Sequence, residues 1–416
     1  MNVTFGYAKE KINVTIPDEN YMGTLVPNHV ELDLTGEEEV IRSLKNPIGT
    51  PRLKDMVKKG QKIAIVTSDI TRPMPSYKVI PHVLDELHEA GVEDKDVTVV
   101  FALGSHGGHT EERMRYMVSD KVFESVKCVD SDCNNVKHLG TTSHGTPVDI
   151  VTPVAEADFV ICMGNIEYHY FAGYSGGAKA IMPGVSTRDA IQNNHSAMVQ
   201  PEACAGRLEG NPVREDIEES GEILGIDFIV NVVLNEKKEI IKCFSGDKVK
   251  AHREGCKFLD SFYAIPIEEK ADIILVSAGG FPKDINMYQA QKALDNAKHA
   301  IKEGGIIIWI AECSEGLGEK HFEDWMTGHD KPGDMITHIK KDFVLGGHKA
   351  AAIMMVLQNA RIFLVSGLEP DFVKSVFLEP YSSIDEALKA ALEAMPKGAK
   401  VLAMPYGGST LPRVQG

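Results

Sequence analysis

Three side chains of the kind that do chemistry, His169, Lys179 and His195, fall in one stretch, HYFAGYSGGAKAIMPGVSTRDAIQNNH (169–195). Gly176, Gly177 and Gly184 surround the lysine. Glycine weakens any helix or strand, so the stretch reads as a loop whose backbone lies close to something bulky. A lysine amine placed there either contacts a phosphate or anchors a carbonyl-type cofactor covalently. The imidazoles can move protons near neutrality or ligate a borderline metal through nitrogen. Three more stretches carry similar residues: SDITRP (68–73), with Asp69 and Arg72; SHGGHTEE (105–112), with His106 and His109; and SAGGFPKDINMYQAQKA (277–293), with Lys283, Asp284, Tyr288, Gln289 and Lys292. Each alone has a plain explanation, since an aspartate can cap a turn, a loop histidine can be satisfied locally, and Gly-Gly pairs supply positive φ. The usual signatures are missing. Lys179 is followed by Ala180, so GxxxxGK[ST] is absent, and so are a strand-borne GxGxxG, HExxH and GxSxG.

All four stretches follow apolar runs of the kind that forms strands. KIAIVT (62–67), VTVVFALG (97–104) and ADFVICMGN (157–165) alternate with helical patterns such as SYKVIPHVLDELHEAG. ADIILVSAGG (271–280), GGIIIWIAE (304–312), RIFLVSG (361–367) and AKVLAMPYGG (399–408) do the same with MYQAQKALDNAKHAIK and SIDEALKAALEAM, the last opening on a capping box from Ser383 to Glu386. Continuous apolar strands between helices mean sheets covered on both faces. The expected fold class is therefore α/β, with two Rossmann-like α/β domains and mainly parallel sheets. A composition shift near residue 260 gives an N-terminal domain of 1–262, completed by 404–416 through a crossing turn at Gly407 and Gly408, and a C-terminal domain of 268–397. Ligands in such sheets sit at the carboxyl ends of strands. Four motifs at strand ends thus point to an active site in an interdomain cleft.

Composition narrows the function. With 60 acidic against 44 basic residues the net charge is −16, which disfavours nucleic acid as a partner. Seven scattered cysteines without a CxxC suit reduced thiols and a cytoplasmic protein. The first residues lack an apolar leader core, and no apolar run approaches the roughly 18 residues of a membrane span, so no membrane partner is expected.

The set SDxTRP, ALGxH…TEE, H…GGxKxxxPG…H, GGxPKDxNxYQxxKA and PYGGSTLP, in this order from about residue 60 to the end, closely resembles the nickel-dependent lactate racemase family. That resemblance implies a racemase of small 2-hydroxy acids, lactate first. It implies nickel in a pincer nucleotide, a nicotinate-derived mononucleotide whose thioamide and thiocarboxylate arms bind the metal. By position, Lys179 forms the thioamide link and His195 completes the nickel coordination, while His106 and His169 act as acid and base. Asp69, Gly176, Gly177, Tyr288, Gln289 and His348 line the cofactor, and Arg72 and Lys292 hold the substrate. Cofactor-biosynthesis enzymes are then necessary partners. The chemistry is coherent: simple deprotonation would put a carbanion beside a carboxylate, whereas removing a hydride from C2 and a proton from the hydroxyl gives a planar 2-keto acid that can be re-reduced on either face. Two histidines, one per enantiomer, make the process nearly symmetric, and bidentate geometry favours Arg72 for the carboxylate.

The family's C-terminal tryptophan near the cofactor does not align with Trp309 or Trp325. The comparable stretch reads FVLGGHKAAAIM, with His348 and Lys349. Extra basic groups there would welcome malate, another 2-hydroxy acid or a sugar acid; a polar helix start is the alternative. Two rival readings remain, a nickel- or nucleotide-binding module, which would have no use for both His106 and His169, and a zinc-dependent hydrolase or aldolase, which would cluster its histidines as ligands.

Overall fold

The computed structural model describes residues 1–235 and 237–415. The chain divides into two compact units, Val30–Asp260 on the one hand and Met1–His29 with Ser261–Gly416 on the other. In Val30–Asp260 a six-stranded sheet runs in the order Ile240–Gly246, Phe228–Leu234, Phe159–Asn165, Ile63–Ser68, Val97–Ala102, Lys127–Asp130. Every neighbouring pair is parallel except the first. Phe159–Asn165 is buried along its whole length and Ile63–Ser68 nearly so, as an apolar run covered on both faces requires. The helix Ser76–Glu89 shows how a face is covered. Its Val79, Ile80, Val83 and Leu87 recur at three- and four-residue steps and pack with Ile63, Ile65, Val97 and Val99. Truncating Leu87 to alanine in that core would cost about 2–5 kcal/mol.

The second unit holds another six-stranded sheet, in the order Glu379–Tyr381, Ala360–Val365, Ile301–Ile310, Ala271–Ser277, Val401–Met404, Tyr21–Thr24, parallel throughout. Two mainly parallel α/β sheets are thus present, as the apolar runs require. The helix Ile384–Ala394 starts as its sequence predicts, with Ser383 Oγ accepting the Glu386 N–H at 3.2 Å. The reciprocal half is displaced by one residue, since Glu386 Oε2 accepts from Ser382, Oγ at 2.6 Å and N at 3.3 Å.

The distribution of the chain ends differs from the expected one. Residues 1–29 do not belong with 30–260. The hairpin Asn2–Tyr7/Glu10–Thr15 buries Val3, Phe5 and Val14 with Ile273, Leu275, Ile306 and Ile308, and Tyr21–Thr24 pairs with Val401–Met404. Nor does 404–416 complete the first domain. The Gly407 N–H donates to the Ser277 carbonyl at 2.9 Å and its own carbonyl accepts from Asn296 Nδ2 at 2.7 Å. A Cβ on Gly407 would stand 2.2 Å from Val276 Cγ2. Leu411–Val414 then pairs with Ala264–Ile267 in parallel. The turn is tight because it docks on its own unit's sheet. All seven cysteines are free, and among the described residues no helix is long and apolar enough to cross a membrane.

Candidate functional site

Strands Phe159–Asn165, Ile63–Ser68 and Val97–Ala102 are parallel neighbours, so the loops at their carboxyl ends share one edge. Asp69 directly follows Ser68. It is 3% exposed, and its Oδ1 accepts from Thr71, Oγ1 at 2.8 Å and N at 3.2 Å. Its Oδ2 pairs with His106 Nδ1. Burial works to raise this carboxyl, but the His106 hydrogen bond and charge, the Thr71 hydroxyl and the Arg72 guanidinium outweigh it and hold Asp69 below the ordinary carboxylate range. An imidazole whose Nδ1 proton is held by a carboxylate presents Nε2 as its basic nitrogen. His109 is different. Its Nδ1 donates to Asp130 Oδ1 at 2.6 Å and its Nε2 accepts the Ile70 N–H at 3.2 Å, so both nitrogens are spent on bracing the two loops. Of the two histidines in SHGGHTEE, only His106 is set up for proton transfer.

The loop after Phe159–Asn165 turns back as a short ribbon in which His169 faces Gly173. Only glycine fits at 173, where φ is +76° and a Cβ would lie 2.0 Å from the Arg207 carbonyl oxygen. His169 Nδ1 accepts the Ala172 N–H at 3.2 Å, which in the neutral ring places the proton on Nε2. Phe171 links two of the expected residues, its ring centroid lying 4.5 Å from that of His169 and 4.9 Å from that of His195, edge to face in both cases.

Lys179 lies in a short 3-10 turn, Gly177–Ala180. Its side chain makes no hydrogen bond or ion pair among the described residues. Burial, joined by the Arg72 and Arg214 guanidiniums and only partly opposed by Glu167, pushes the Lys179 ammonium far down from its usual range. An uncharged lysine amine is a nucleophile. Arg214, on the helix Pro212–Leu224, is wholly buried and donates to the Tyr174 carbonyl at 2.7 Å, and His252 Nε2 donates to the Ser175 carbonyl at 2.9 Å. Together they pin the loop from below.

The glycines beside Lys179 have a reason other than the one the sequence suggests. A Cβ on Gly176 would stand 2.9 Å from Asn231 Oδ1, and one on Gly177 3.0 Å from His252 Cδ2, both at positive φ. The Gly177 N–H is already given to Asn231 Oδ1 at 2.8 Å. A Cβ on Gly184 would meet the Ala180 carbonyl oxygen at 2.1 Å. These glycines let the loop close against its own protein. They do not clear room for a nucleotide, and any cofactor contact at Gly176 or Gly177 falls to other backbone atoms.

His195 is 7% exposed in the last turn of the helix Arg188–Ser196, its Nδ1 2.8 Å from Asn194 Oδ1. Among the described residues no three His, Cys, Asp or Glu side chains converge as metal ligands. A metal at His195 would take its other donors from a cofactor, and a zinc enzyme's ligand set is not found there. An amine at Lys179 whose charged form is disfavoured and an imidazole whose Nδ1 is engaged at His195 fit a tethered, metal-carrying group.

Tyr288, Gln289, Lys292 and His348 belong to the other unit. The first three ride on the helix Met287–Ala297, whose cap Asn286 accepts the Gln289 N–H at 3.0 Å. Lys349 Nζ donates to the Tyr288 carbonyl at 2.8 Å and sits 3.9 Å from that ring's centroid. His348 is 7% exposed at the start of Gly347–Leu357, its Nδ1 accepting the Gly346 N–H at 3.0 Å. The polar helix-start reading of GGHK therefore describes these contacts. Trp309 is buried in its strand, and Trp325 stacks on His338 with centroids 4.4 Å apart.

Sequence reasoning passed over Asn194, Arg214, Asp216, Asn231 and His252, which fix the loop and its histidine. One signal was present. Arg214 sits between the apolar Val213 and Ile217 of an amphipathic helix, on the buried face.

Comparison with known proteins accounts for nearly the whole chain. The lactate racemase N-terminal domain matches residues 7–206 and the lactate racemase C-terminal domain residues 267–411. The lactate racemase of Thermoanaerobacterium thermosaccharolyticum is 33% identical over 99% of both chains. The chain belongs to the lactate racemase family. With that membership it is an isomerase, a racemase. The lactate racemase of Lactiplantibacillus plantarum is 32% identical over 96% of this chain and 97% of its own. The structure of the T. thermosaccharolyticum apoprotein superimposes with a TM-score of 0.88, covering 99% of this chain and all of that one. A Thermotoga maritima protein, 18% identical with a TM-score of 0.64 over 92% of this chain and all of its own, shares the fold.

Proposed function

We propose that this protein racemises lactate with a nickel pincer nucleotide held covalently at Lys179. The observation that carries this reading is the Lys179 amine itself, without an ionic partner among the described residues and with its pKa pushed far down, in the loop that follows the His169 ribbon. When bound, the cofactor supplies a hydride acceptor and donor for C2 of the substrate. The protein supplies everything else. His106, with its Nδ1 proton held by Asp69, takes the hydroxyl proton of one enantiomer on Nε2 and returns it. His169 serves the other enantiomer after giving up the Ala172 N–H, because the ring that accepts that bond at Nδ1 carries its own proton on Nε2. Arg72, which follows Asp69 in the same loop, binds the carboxylate. His195 is the protein's ligand to nickel. Gln289, Tyr288, His348 and Lys292 keep the cofactor and substrate contacts that the family resemblance gives them. Enzymes that build the cofactor act beforehand.

Lactate is favoured over dicarboxylic or polyol acids because the extra basic groups are already engaged within their own unit, Lys349 with Tyr288 and His348 with Gly346. The test is intact mass and activity of protein produced together with the cofactor-making enzymes. Wild type should carry an added mass on the Lys179 peptide and racemise lactate. Lys179→Arg should carry neither mass nor activity, because a guanidinium cannot form the link. An active, cofactor-retaining Lys179→Arg protein would overturn the tether.

A further inference from the structure

His195 sits at the end of a buried chain of hydrogen bonds whose protons are all assigned by the groups around them. Thr142 Oγ1 accepts the Thr146 N–H at 3.1 Å, so its own proton goes to Asp216 Oδ1 at 2.5 Å. Thr146 Oγ1 donates to Asp216 Oδ2 at 2.7 Å. The same Oδ2 accepts Asn194 Nδ2 at 2.7 Å, and the second hydrogen of that amide reaches the Val213 carbonyl at 3.1 Å. Turning the Asn194 amide over would set its oxygen against a carboxylate and a carbonyl, two acceptors facing an acceptor, so the orientation is fixed. Its Oδ1 then faces His195 Nδ1 at 2.8 Å. An amide oxygen only accepts. Nδ1 must therefore carry the proton.

We infer that Asn194, anchored by Asp216, is the positioning residue that holds His195 with its proton on Nδ1 and its lone pair on Nε2, the form in which an imidazole ligates a metal. The role rests on reading His195 as the nickel ligand, but the tautomer does not. Asn194 and Asp216 are each only 2% exposed, so water does not compete for these bonds, and the edge of Phe171 packed on the imidazole restrains its rotation. Metal-bound histidines generally give their second nitrogen's proton to a neighbouring acceptor, which sets both tautomer and ring orientation. Here an amide stands between imidazole and carboxylate. It fixes the proton without placing a full negative charge against the ring, so Asp216 acts on the ligand only through Asn194.

The experiment reads the tautomer directly in apoprotein, by long-range proton–nitrogen correlation of histidine-labelled, otherwise deuterated protein at pH 8. Wild-type His195 should show the proton on Nδ1. A proton on Nε2 would overturn the inference. In Asn194→Leu the lost bond should shift the tautomer ratio towards Nε2–H by about fivefold, the ratio that a hydrogen bond of about 1 kcal/mol sustains. In Asn194→Ser, which keeps an acceptor on a shorter arm, the shift should be smaller. Thermal melts and the His106 and His109 signals check that both variants are folded. Should Asn194→Leu misfold, the wild-type spectrum and Asn194→Ser still decide, and an unchanged ratio in a folded variant would remove Asn194 from the role. In holoprotein, nickel should dissociate about 10–100 times more readily from Asn194→Leu than from wild type, as for other outer-shell partners. If His195→Ala retains nickel like wild type while the apoprotein tautomer is as inferred, the ligand reading fails and the tautomer assignment stands.

Discussion

Replacing Asp69 by asparagine isolates one charge. The substitution keeps the side chain's size and can keep the Thr71 contact, but it removes the carboxylate that faces His106 Nδ1. As His106 takes a proton it becomes an imidazolium, so its bond to Asp69 is worth most at that moment. Hydrogen bonds to charged groups contribute about 1.5–3 kcal/mol against about 1 kcal/mol for neutral ones. The variant should therefore lose about 0.5–2 kcal/mol of transition-state stabilisation, or about 2- to 30-fold in rate. If the new amide presents its NH2 to Nδ1, the loss is larger, because Nε2 must then carry the proton and cannot act as base. The assay is initial rates from each enantiomer of lactate with cofactor-loaded protein. Enantiomers are equal in free energy, so kcat/KM must fall by the same factor in both directions, and the asymmetry should appear in kcat, greater for the enantiomer whose hydroxyl His106 deprotonates. Stability supplies a second reading. Because the folded Asp69 carboxyl is held below its ordinary range, its stabilisation is fully present above the unfolded value, about 3.9, and is lost as pH falls through the folded one. The stability gap between wild type and Asp69→Asn should narrow on acidification. A variant with kcat/KM within twofold of wild type would refute the pairing of Asp69 with a working base.

Lys179→Met should raise the melting temperature of apoprotein at pH 7, because it removes a partly exposed amine whose charged form the surroundings disfavour and that gains no ionic partner among the described residues. Since the folded pKa is depressed, wild-type stability should climb with pH from that folded value up to the unfolded one near 10.4, and the methionine variant should lack the climb. Gly177→Ala, with φ at +58° and its Cβ aimed at His252, should cost about 1–3 kcal/mol in denaturant melts; an unperturbed midpoint would contradict the packing argument. His348→Ala should leave the ratio of kcat/KM for lactate and malate within about twofold, since that ring serves its own helix start. A large change in the ratio would restore it as a specificity residue.

How much of this was written in the sequence depends on the range of the interactions involved. Continuous apolar runs such as ADFVICMGN specify buried parallel strands locally, and the residues after them fall at carboxyl ends by topology, so Asp69, His106 and His169 could be placed from composition and order. The edge elements were not legible in that way. Tyr21–Thr24 and Asn2–Thr15 gain their burial from partners near residues 273–310 and 401–404, and nothing local announces that. The glycines next to Lys179 were read towards a ligand, whereas the side chains they make room for, Asn231 and His252, lie far along the chain. The same holds for Asn194: its place beside His195 is plain, but its amide's orientation is set by Asp216 and Val213. Chemistry-bearing residue types advertise themselves; the groups that fix their protons do so only in three dimensions.

The unit that holds both ends of the chain also dictates an order of events on the ribosome. Asn20 Nδ2 bonds the Ala399 carbonyl, 379 residues further on, and at about 5–20 residues per second the wait for that partner is roughly 20 to 75 seconds. Residues 30–260 form a contiguous unit and can fold during that wait. Asn2–Tyr7 and Glu10–Thr15 can meanwhile pair with each other, but Tyr21–Thr24 lacks its partner strand, and Val3, Phe5, Val14 and Ile16 stay exposed. Newly made chains should thus bind holdase chaperones through their first thirty residues. Truncations that end before residue 400 should leave Tyr21–Thr24 without the strand it pairs with.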